Sequence, residues 1–334
     1  LEIILSGYSN NENNFIILSN EGNDLTQLFI NEKNKSGFAL NDFNDNGLSD
    51  IVFGTDNNNL YLIYDNQEIA NGFPFQSNDK FRLSPIILEY GNNKIIIAAC
   101  DNKFLYAINS QGDIHFSLEL EHSISTAPSI LNYQNQPHIF FGLGNGDIYA
   151  VDFYGNVIYS YNINSGIVGS IVFGDLNSDN YPEIIAANDI GYVYVLNLDG
   201  SVYNNFPIQY DFPFSSSPII EDIDNDDDYE IIIGTTNSLF VLDIKSSGEI
   251  ENYWHMYGKN NNRTNYFSID LECNLGDIDF NGLVNVLDVV MLANIVLTPD
   301  ENYEELECAY DLNYDSQATV QDIILLVDYI FESN

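Results

Sequence analysis

Three nine-residue stretches place oxygen-bearing side chains at positions 1, 3, 5 and 9: Asp42, Asn44, Asn46 and Asp50; Asp175, Asn177, Asp179 and Glu183; Asp222, Asp224, Asp226 and Glu230. With the main-chain carbonyl at position 7, from Leu48, Tyr181 and Asp228, each stretch can wrap one hard cation at roughly 2.3–2.6 Å. Oxygen-only donor sets favour calcium over zinc, which prefers nitrogen and sulfur. Near the C-terminus two stretches have a twelve-residue spacing: Asp277, Asp279, Asn281, Leu283 through its carbonyl, Asn285 and Asp288; then Asp311, Asn313, Asp315, Gln317 through its carbonyl, Thr319 and Asp322. Together the five stretches predict about five calcium ions. Gly282 suits the sharp turn at position 6 of the fourth stretch. Ser316 stands there in the fifth, where a positive φ costs about 1 kcal/mol, and this site is expected to be the weaker one.

The loops recur because the elements that carry them recur. Apolar anchors at Phe38, Pro85, Pro128, Ile171 and Pro218 lie 47, 43, 43 and 47 residues apart. A period in the forties is that of four-stranded propeller blades. Within a period come three more strand-like runs, for instance Lys94–Ala99, Phe104–Asn109 and Asp113–Leu118. Between the last two sits a turn with glycine at a fixed place, as in Ser110-Gln-Gly-Asp113 and Phe153-Tyr-Gly-Asn156, where a tight hairpin needs a positive φ. The first three loops fall between the first and second strands of their repeats, whereas the equivalent stretches from Glu89 and from Asn132 lack carboxylates and are expected to bind nothing. Residues 1–30 read as a blade without its first strand, and Asn265–Leu271 fall where a late strand would complete it. From about residue 271 the period becomes helical over Val289–Leu297 and Ile323–Ile330. The expected fold is mostly β: residues 1–271 as a propeller of about six four-stranded blades, or a piece of a larger one, and 272–334 as a small α domain of paired EF-hand-like calcium loops.

Composition bounds the function. Nine Lys and Arg stand against 50 Asp and Glu, for a formal charge of −41. That balance excludes a nucleic-acid binder, which needs clustered cations, and disfavours anionic membranes. No apolar run is long enough for a membrane span. Four histidines (His115, His122, His138, His255) lack metal spacing, and there is no nucleophile elbow, P-loop or dinucleotide fingerprint, so no catalytic residue is expected. Cys100 reads as a small buried hydrophobe. Cys273 and Cys308 precede the two C-terminal loops by three or four residues, and a disulfide between them and two free thiols are both open.

Residues 277–334, with a duplicated calcium loop and one helix after each, resemble a type I dockerin. The resemblance implies a docking module for a cohesin-like partner, although the partner-reading positions carry Val286, Leu287, Val320 and Gln321 in place of hydroxyl-bearing residues. The first 270 residues resemble calcium-binding propellers of FG-GAP/VCBS type; Ile148–Tyr159 is also similar to PQQ-like repeats, and Trp254–Thr264 to the segment that ends the last blade in secreted members. These likenesses imply a secreted or cell-surface, calcium-stabilised binding, adhesion or surface-assembly protein. Its propeller would recognise or display for a glycan or protein, and its C-terminal module would attach to a cohesin-like protein or to another copy. The rival expectation is an extracellular polysaccharide-degrading enzyme of lyase type. A lyase needs cations beside its substrate carboxylate, and the nine Lys and Arg are dispersed along the chain.

Overall fold

The structure, a computed structural model, describes residues 2–9, 12–91, 93–270, 274–279, 283–298 and 306–332. Strands form where β-branched and aromatic residues cluster between Asn, Asp and Gly turns. The first sheet pairs β1 (Glu2–Ser6) with β2 (Phe15–Ser19). The second is the meander β3 (Ala39–Asn41), β4 (Asp50–Gly54), β5 (Asn59–Ile63) and β6 (Phe75–Gln76). The third contains β7 (Ile86–Tyr90), β8 (Asn93–Ala99), β9 (Phe104–Asn109) and β10 (Ile114–Glu119). The fourth contains β11 (Ser129–Tyr133), β12 (Gln136–Gly142), β13 (Asp147–Val151) and β14 (Val157–Asn162). The fifth contains β15 (Ile167–Gly174), β16 (Glu183–Asn188), β17 (Tyr192–Leu196) and β18 (Ile208–Gln209). The sixth contains β19 (Ile219–Glu221), β20 (Glu230–Gly234) and β21 (Leu239–Asp243). Each repeat therefore becomes one antiparallel sheet. The turn glycines Gly112, Gly155 and Gly200 have φ of 83–85°.

Sheets pack face on face through apolar clusters, giving a propeller-like succession. Phe15 and Ile17 of the first meet Ile51, Phe53 and Ile63 of the second. The opposite face of the second, Val52, Leu60 and Leu62, meets Ile96, Ala98 and Ile108 of the third. Val172, Ile185, Val193 and Val195 of the fifth meet Ile220, Ile231 and Ile233 of the sixth. A hydroxyl precedes the first strand of several sheets and accepts from the glycine that ends the second strand: Ser36 from Gly54 (2.9 Å), Thr126 from Gly142 (2.8 Å), Ser216 from Gly234 (2.7 Å). Others join neighbouring repeats, Gly37 N donating to Ser84 Oγ and Ser170 N to Ser217 Oγ, both at 2.8 Å. The approach is close enough that a Cβ on Gly169 would lie 2.4 Å from Ser217 Cα.

The late strand is placed differently from the sequence expectation. β22 (Tyr266–Ile269) adds to β7 as a fifth strand of the third sheet; among the described residues β1 pairs only with β2. The reason lies in the segment before it, which satisfies the open edges of several first strands. Trp254 O accepts from Phe173 N (3.0 Å), His255 O from Ile220 N (3.0 Å), Thr264 O from Leu40 N (2.9 Å) and Asn265 O from Ile87 N (2.8 Å). Unpaired backbone groups on buried edges are costly, and one strap serves four sheets. Among the described residues the sixth sheet has three strands, and Glu249 instead bridges Asp175.

Two compact units emerge. One comprises Leu1–Leu88, Lys94–Leu131 and His138–Phe267; the other comprises Glu89–Asn93, Asn132–Pro137 and Ser268–Asn334. In the second, α1 (Val286–Leu297), α2 (Glu307–Tyr310) and α3 (Val320–Glu332) surround a small core of Ile278, Leu292, Ile295, Ala309, Tyr310 and Leu326. Cys308 is disulfide-bonded and Cys100 is a buried free thiol; Cys273 lies outside the described residues.

Trp254 is 1% exposed and stacks on Phe267 with ring centroids 6.3 Å apart. Trp254→Ala is expected to cost about 3–5 kcal/mol by emptying the strap's anchor. Urea unfolding read by circular dichroism checks this, and a loss below about 1 kcal/mol would mean that the strap does not hold the sheets.

Candidate metal centres

Residues 42–49, 175–182 and 222–229 join first to second strands in the second, fifth and sixth sheets, and the last carboxylate of each loop, Asp50, Glu183 or Glu230, opens the second strand. All three of these carboxylates are buried. They take the backbone N–H of position 2: Phe43 N to Asp50 Oδ2 (2.7 Å), Leu176 N to Glu183 Oε2 (2.7 Å), Ile223 N to Glu230 Oε2 (2.9 Å). The position 1 carboxylate collects the N–H groups of positions 5 and 6. Asn46 and Gly47 donate to Asp42, Asp179 and Asn180 to Asp175, and Asp226 and Asp227 to Asp222, over 2.6–3.3 Å. Position 7 then donates to the side chain at position 5, from Leu48 to Asn46, Tyr181 to Asp179 and Asp228 to Asp226.

The C-terminal loops repeat this frame. Asp315 and Ser316 N donate to Asp311 (2.9 and 2.8 Å), and Gln317 N to Asp315 Oδ1 (2.9 Å). At position 12, Asp288 Oδ1 accepts from Ile278 N and Asp279 N while its Oδ2 accepts from Asn285 N; Asp322 does the same for Leu312, Asn313 and Thr319. The same carboxylates close capping contacts at helix starts. Asn285 caps α1 by accepting from Leu287 N, and Asp288 answers with the return bond of a capping box. Ser316 has φ of 61°, as Asn180 (66°) and Asp227 (69°) do at the same position, so this backbone is shared by loops with and without glycine. Asn281 and Gly282 lie outside the described residues.

Carboxylates converge most closely in two of the five loops. Ligand oxygens of Asp222, Asp224 and Glu230, of Asp226, Asp228 and Glu230, and of Asp277, Asp279 and Asp288 all lie within 4.8 Å of one another. Elsewhere the positions are shared with amides: Asn44 and Asn177 face Asp50 and Glu183 at 3.5 and 3.3 Å. Crowding of like charges shows in the titration. A hydrogen bond shared with Asp226, then burial and charge, push Asp228 up to about 6; burial, with Asp179 and Asp175 nearby, pushes Glu183 up to about 7. Asp228 Oδ1 is buried and has no hydrogen-bond partner. Like charges held this close call for a cation, and a donor set of oxygen alone fits a hard one. These acidic clusters can coordinate calcium.

Charged neighbours that spacing alone did not point to border the sites. Lys94 Nζ donates to Asp42 O and Asp45 Oδ1, both at 2.7 Å, and Lys245 meets Asp226 at 3.3 Å. Asp65, from the turn after β5, accepts from Asn46 Nδ2 at 2.7 Å and donates its N–H to Asp50 Oδ1 at 2.9 Å. Their distance along the chain hides them from a spacing search. The histidines stand apart from the acidic clusters, and burial lowers His115, His138 and His255, His138 to about 4.

The chain is thus a mostly-β, propeller-like protein with acidic loops able to hold calcium and a dockerin-like C-terminal domain. The family model described as dockerin type I domain matches residues 275–331. Among solved structures, one titled as BBS1N in complex with ARL6DN is 14% identical with a TM-score of 0.52, covering 72% of this chain and 74% of that one. Sqt1 of Saccharomyces cerevisiae is 14% identical with a TM-score of 0.52 over 69% of this chain and 65% of its own. The computationally designed Ika8 protein is 11% identical, TM-score 0.52, over 73% of this chain and 69% of its own. At such identities these likenesses concern the fold. No curated protein matches.

With the cation chelated, Glu183 titrates at about 7 in the folded chain against a reference of 4.5. Folding then favours its protonated form, a contribution that is complete below pH 4.5 and lost as pH rises through about 7. In EDTA, Glu183→Gln is expected to gain melting temperature relative to wild type as pH rises across this window. In calcium above pH 7 the order reverses. A difference that stays flat with pH in EDTA would mean that Glu183 is already ionised there.

Proposed function

We propose that this chain is an extracellular binding, adhesion or surface-assembly protein whose propeller-like residues 1–271 recognise or display and whose residues 272–334 attach it to a protein partner. The observation that carries the reading is the conjunction of calcium-type loops in both parts with a dockerin match on the second. Five ions fit the five loops, and five divalent charges would bring −41 to −31, relieving repulsion where it is densest. The chain's own groups do the positioning: backbone N–H groups orient the last carboxylate of all five loops and the position 1 carboxylates Asp42, Asp175, Asp222 and Asp311, and the carbonyls of Leu48, Tyr181, Asp228, Leu283 and Gln317 would complete the oxygen set. A bound calcium would supply the charge that lets those oxygens stay together. Extracellular modules of this kind work at 10⁻⁴–10⁻³ M affinity, which only calcium outside the cell saturates.

The attachment surface is apolar. Leu292, Ile295 and Leu326 fill the small core, while Val286, Leu287 and Val290 on α1, and Val320 and Ile324 on α3, are exposed. Val286 and Val320, and Val290 and Ile324, are related by the 34-residue offset between Asp277 and Asp311, so the duplicated halves present similar contacts. Exposed patches of this kind mark interaction sites. A cohesin-like domain is the partner class. No helix among the described residues is long and apolar enough to cross a membrane.

Replacing Val286 and Leu287 by Lys in the full chain is expected to weaken calcium-dependent retention on the source's cell surface, and binding to a cohesin probe, at least about tenfold. Melting should stay within about 1 °C, since both positions are exposed. Unchanged retention with a lowered melting temperature would instead make the module a cap on the rest of the chain.

A further inference from the structure

The nine Lys and Arg lie apart in the sequence, but three of them meet in space. Residues 31–38 and 77–85 lead into first strands, and the carboxylate loops leave first strands at the opposite end. Lys33 and Lys35 hold their ammonium groups 4.8 and 4.6 Å from the ring centre of Tyr8. Tyr8 OH donates to Asp56 Oδ2 at 2.7 Å, and Asp56 Oδ1 accepts from Arg82 Nε at 2.8 Å. Arg82 also pairs with Asp101 at 3.3 Å, so its charge is answered. The two lysines are not: among the described residues neither forms an ion pair, in a chain with 50 Asp and Glu. Glu32, next to Lys33, is taken up by Thr55, Asn59 and Tyr61. Beside this group opens a cavity of about 240 Å³, lined by Lys35, Arg82, Ser84, Ser125, Ser170 and Tyr257 among others. It is smaller than the roughly 300–1,000 Å³ of pockets that enclose a drug-sized molecule. Ser84 Oγ accepts from Gly37 N at 2.8 Å and shares a hydrogen bond with the Tyr257 hydroxyl, while Ser125 Oγ donates to Ile167 O at 2.9 Å. Ser170 is 2% exposed, yet its hydroxyl has no hydrogen-bond partner among the described residues. A buried hydroxyl without a partner at a cavity wall is a group that a ligand can satisfy.

We propose that this cavity binds one sugar unit of an acidic saccharide, its carboxylate received by Lys35 and Lys33 and its hydroxyl groups by Ser170, Ser84 and Tyr257. The inference rests on the reading that residues 1–271 recognise a ligand, and it names the class of that ligand. A chain of charge −41 repels anions, and two unanswered ammonium groups at one cavity are what lets an anion dock there. The ring of Tyr8 keeps both ammonium groups in place. The hydroxyl-bearing wall and the small volume select a saccharide over an acidic peptide. An acidic side chain brings a carboxylate to the lysines but no set of hydroxyls to the wall.

Isothermal titration calorimetry of the full chain in saturating calcium tests this with trigalacturonate, its methyl ester and a hexaglutamate peptide. Trigalacturonate is expected to bind at least about tenfold more tightly than either of the others. Lys33→Gln combined with Lys35→Gln should weaken that binding at least about tenfold, and Ser170→Ala several-fold. Melting should stay within about 1 °C of wild type in both variants. Lys103→Gln, which removes an exposed cation that donates to Glu121 O at 2.8 Å, should leave the binding unchanged. The proposal is overturned if no probe binds at millimolar concentration, or if the methyl ester binds as tightly as the acid. Equal binding of hexaglutamate also overturns it and makes the partner an acidic peptide. Wild-type binding of trigalacturonate by the double lysine variant or by Ser170→Ala overturns this site and leaves a propeller that recognises elsewhere. Retention at the cell surface is scored on the same variants: retention kept with trigalacturonate binding absent overturns the site and leaves the attachment reading standing.

Discussion

The backbone N–H groups gathered by the loop carboxylates are the interaction on which the rest depends. A position 1 carboxylate that accepts from positions 5 and 6 bends nine residues into a cup, and the last carboxylate, accepting from position 2, closes it. Because that last carboxylate is also the first residue of a buried strand or lies in the first turn of a helix, the cup is welded to the element behind it. The loop thus transmits any change in its own charge to the core: Glu183 sits between Asp175 and Ile184, one side facing like charges and the other fully buried.

This constraint explains why unrelated elements carry similar loops. A strand-to-strand connection and a loop-to-helix connection lead into different elements, yet both need one residue to start the next element and to receive free N–H groups. In β16 and β20 that residue is Glu; in β4 it is Asp, as in α1 and α3, where it completes the cap at the same time.

Repetition made much of this legible in the sequence. The spacing of anchors foretold one sheet per repeat, the turn glycines Gly112, Gly155 and Gly200 fell at positive φ while Gly248 in the turn Ser246-Ser-Gly-Glu249 did not, and the helical core of Leu292, Ile295 and Leu326 came from period alone. What escaped was whatever depends on partners distant along the chain. The strap from Trp254 to Asn265 bonds to first strands of four sheets, and its final strand went to β7 because that edge was open to it, not to the incomplete first sheet that period counting pointed to. Asp65 and Lys94 joined the first loop from a neighbouring turn and strand for the same reason. Ser36, Thr126 and Ser216 were visible as letters, but only the packed repeats reveal that they bind the glycines that end three of the second strands.

Calcium as the counter-charge that holds both parts of the chain is the central claim, and differential scanning calorimetry of the whole chain in saturating calcium and in EDTA tests it most directly. Each ion at a hundredfold excess over its dissociation constant adds about 2.7 kcal/mol. Chelation is therefore predicted to lower the melting of both the β-sheet part and the helical part by many degrees, with recovery on adding calcium back. A melting curve that is the same in EDTA as in calcium would contradict this.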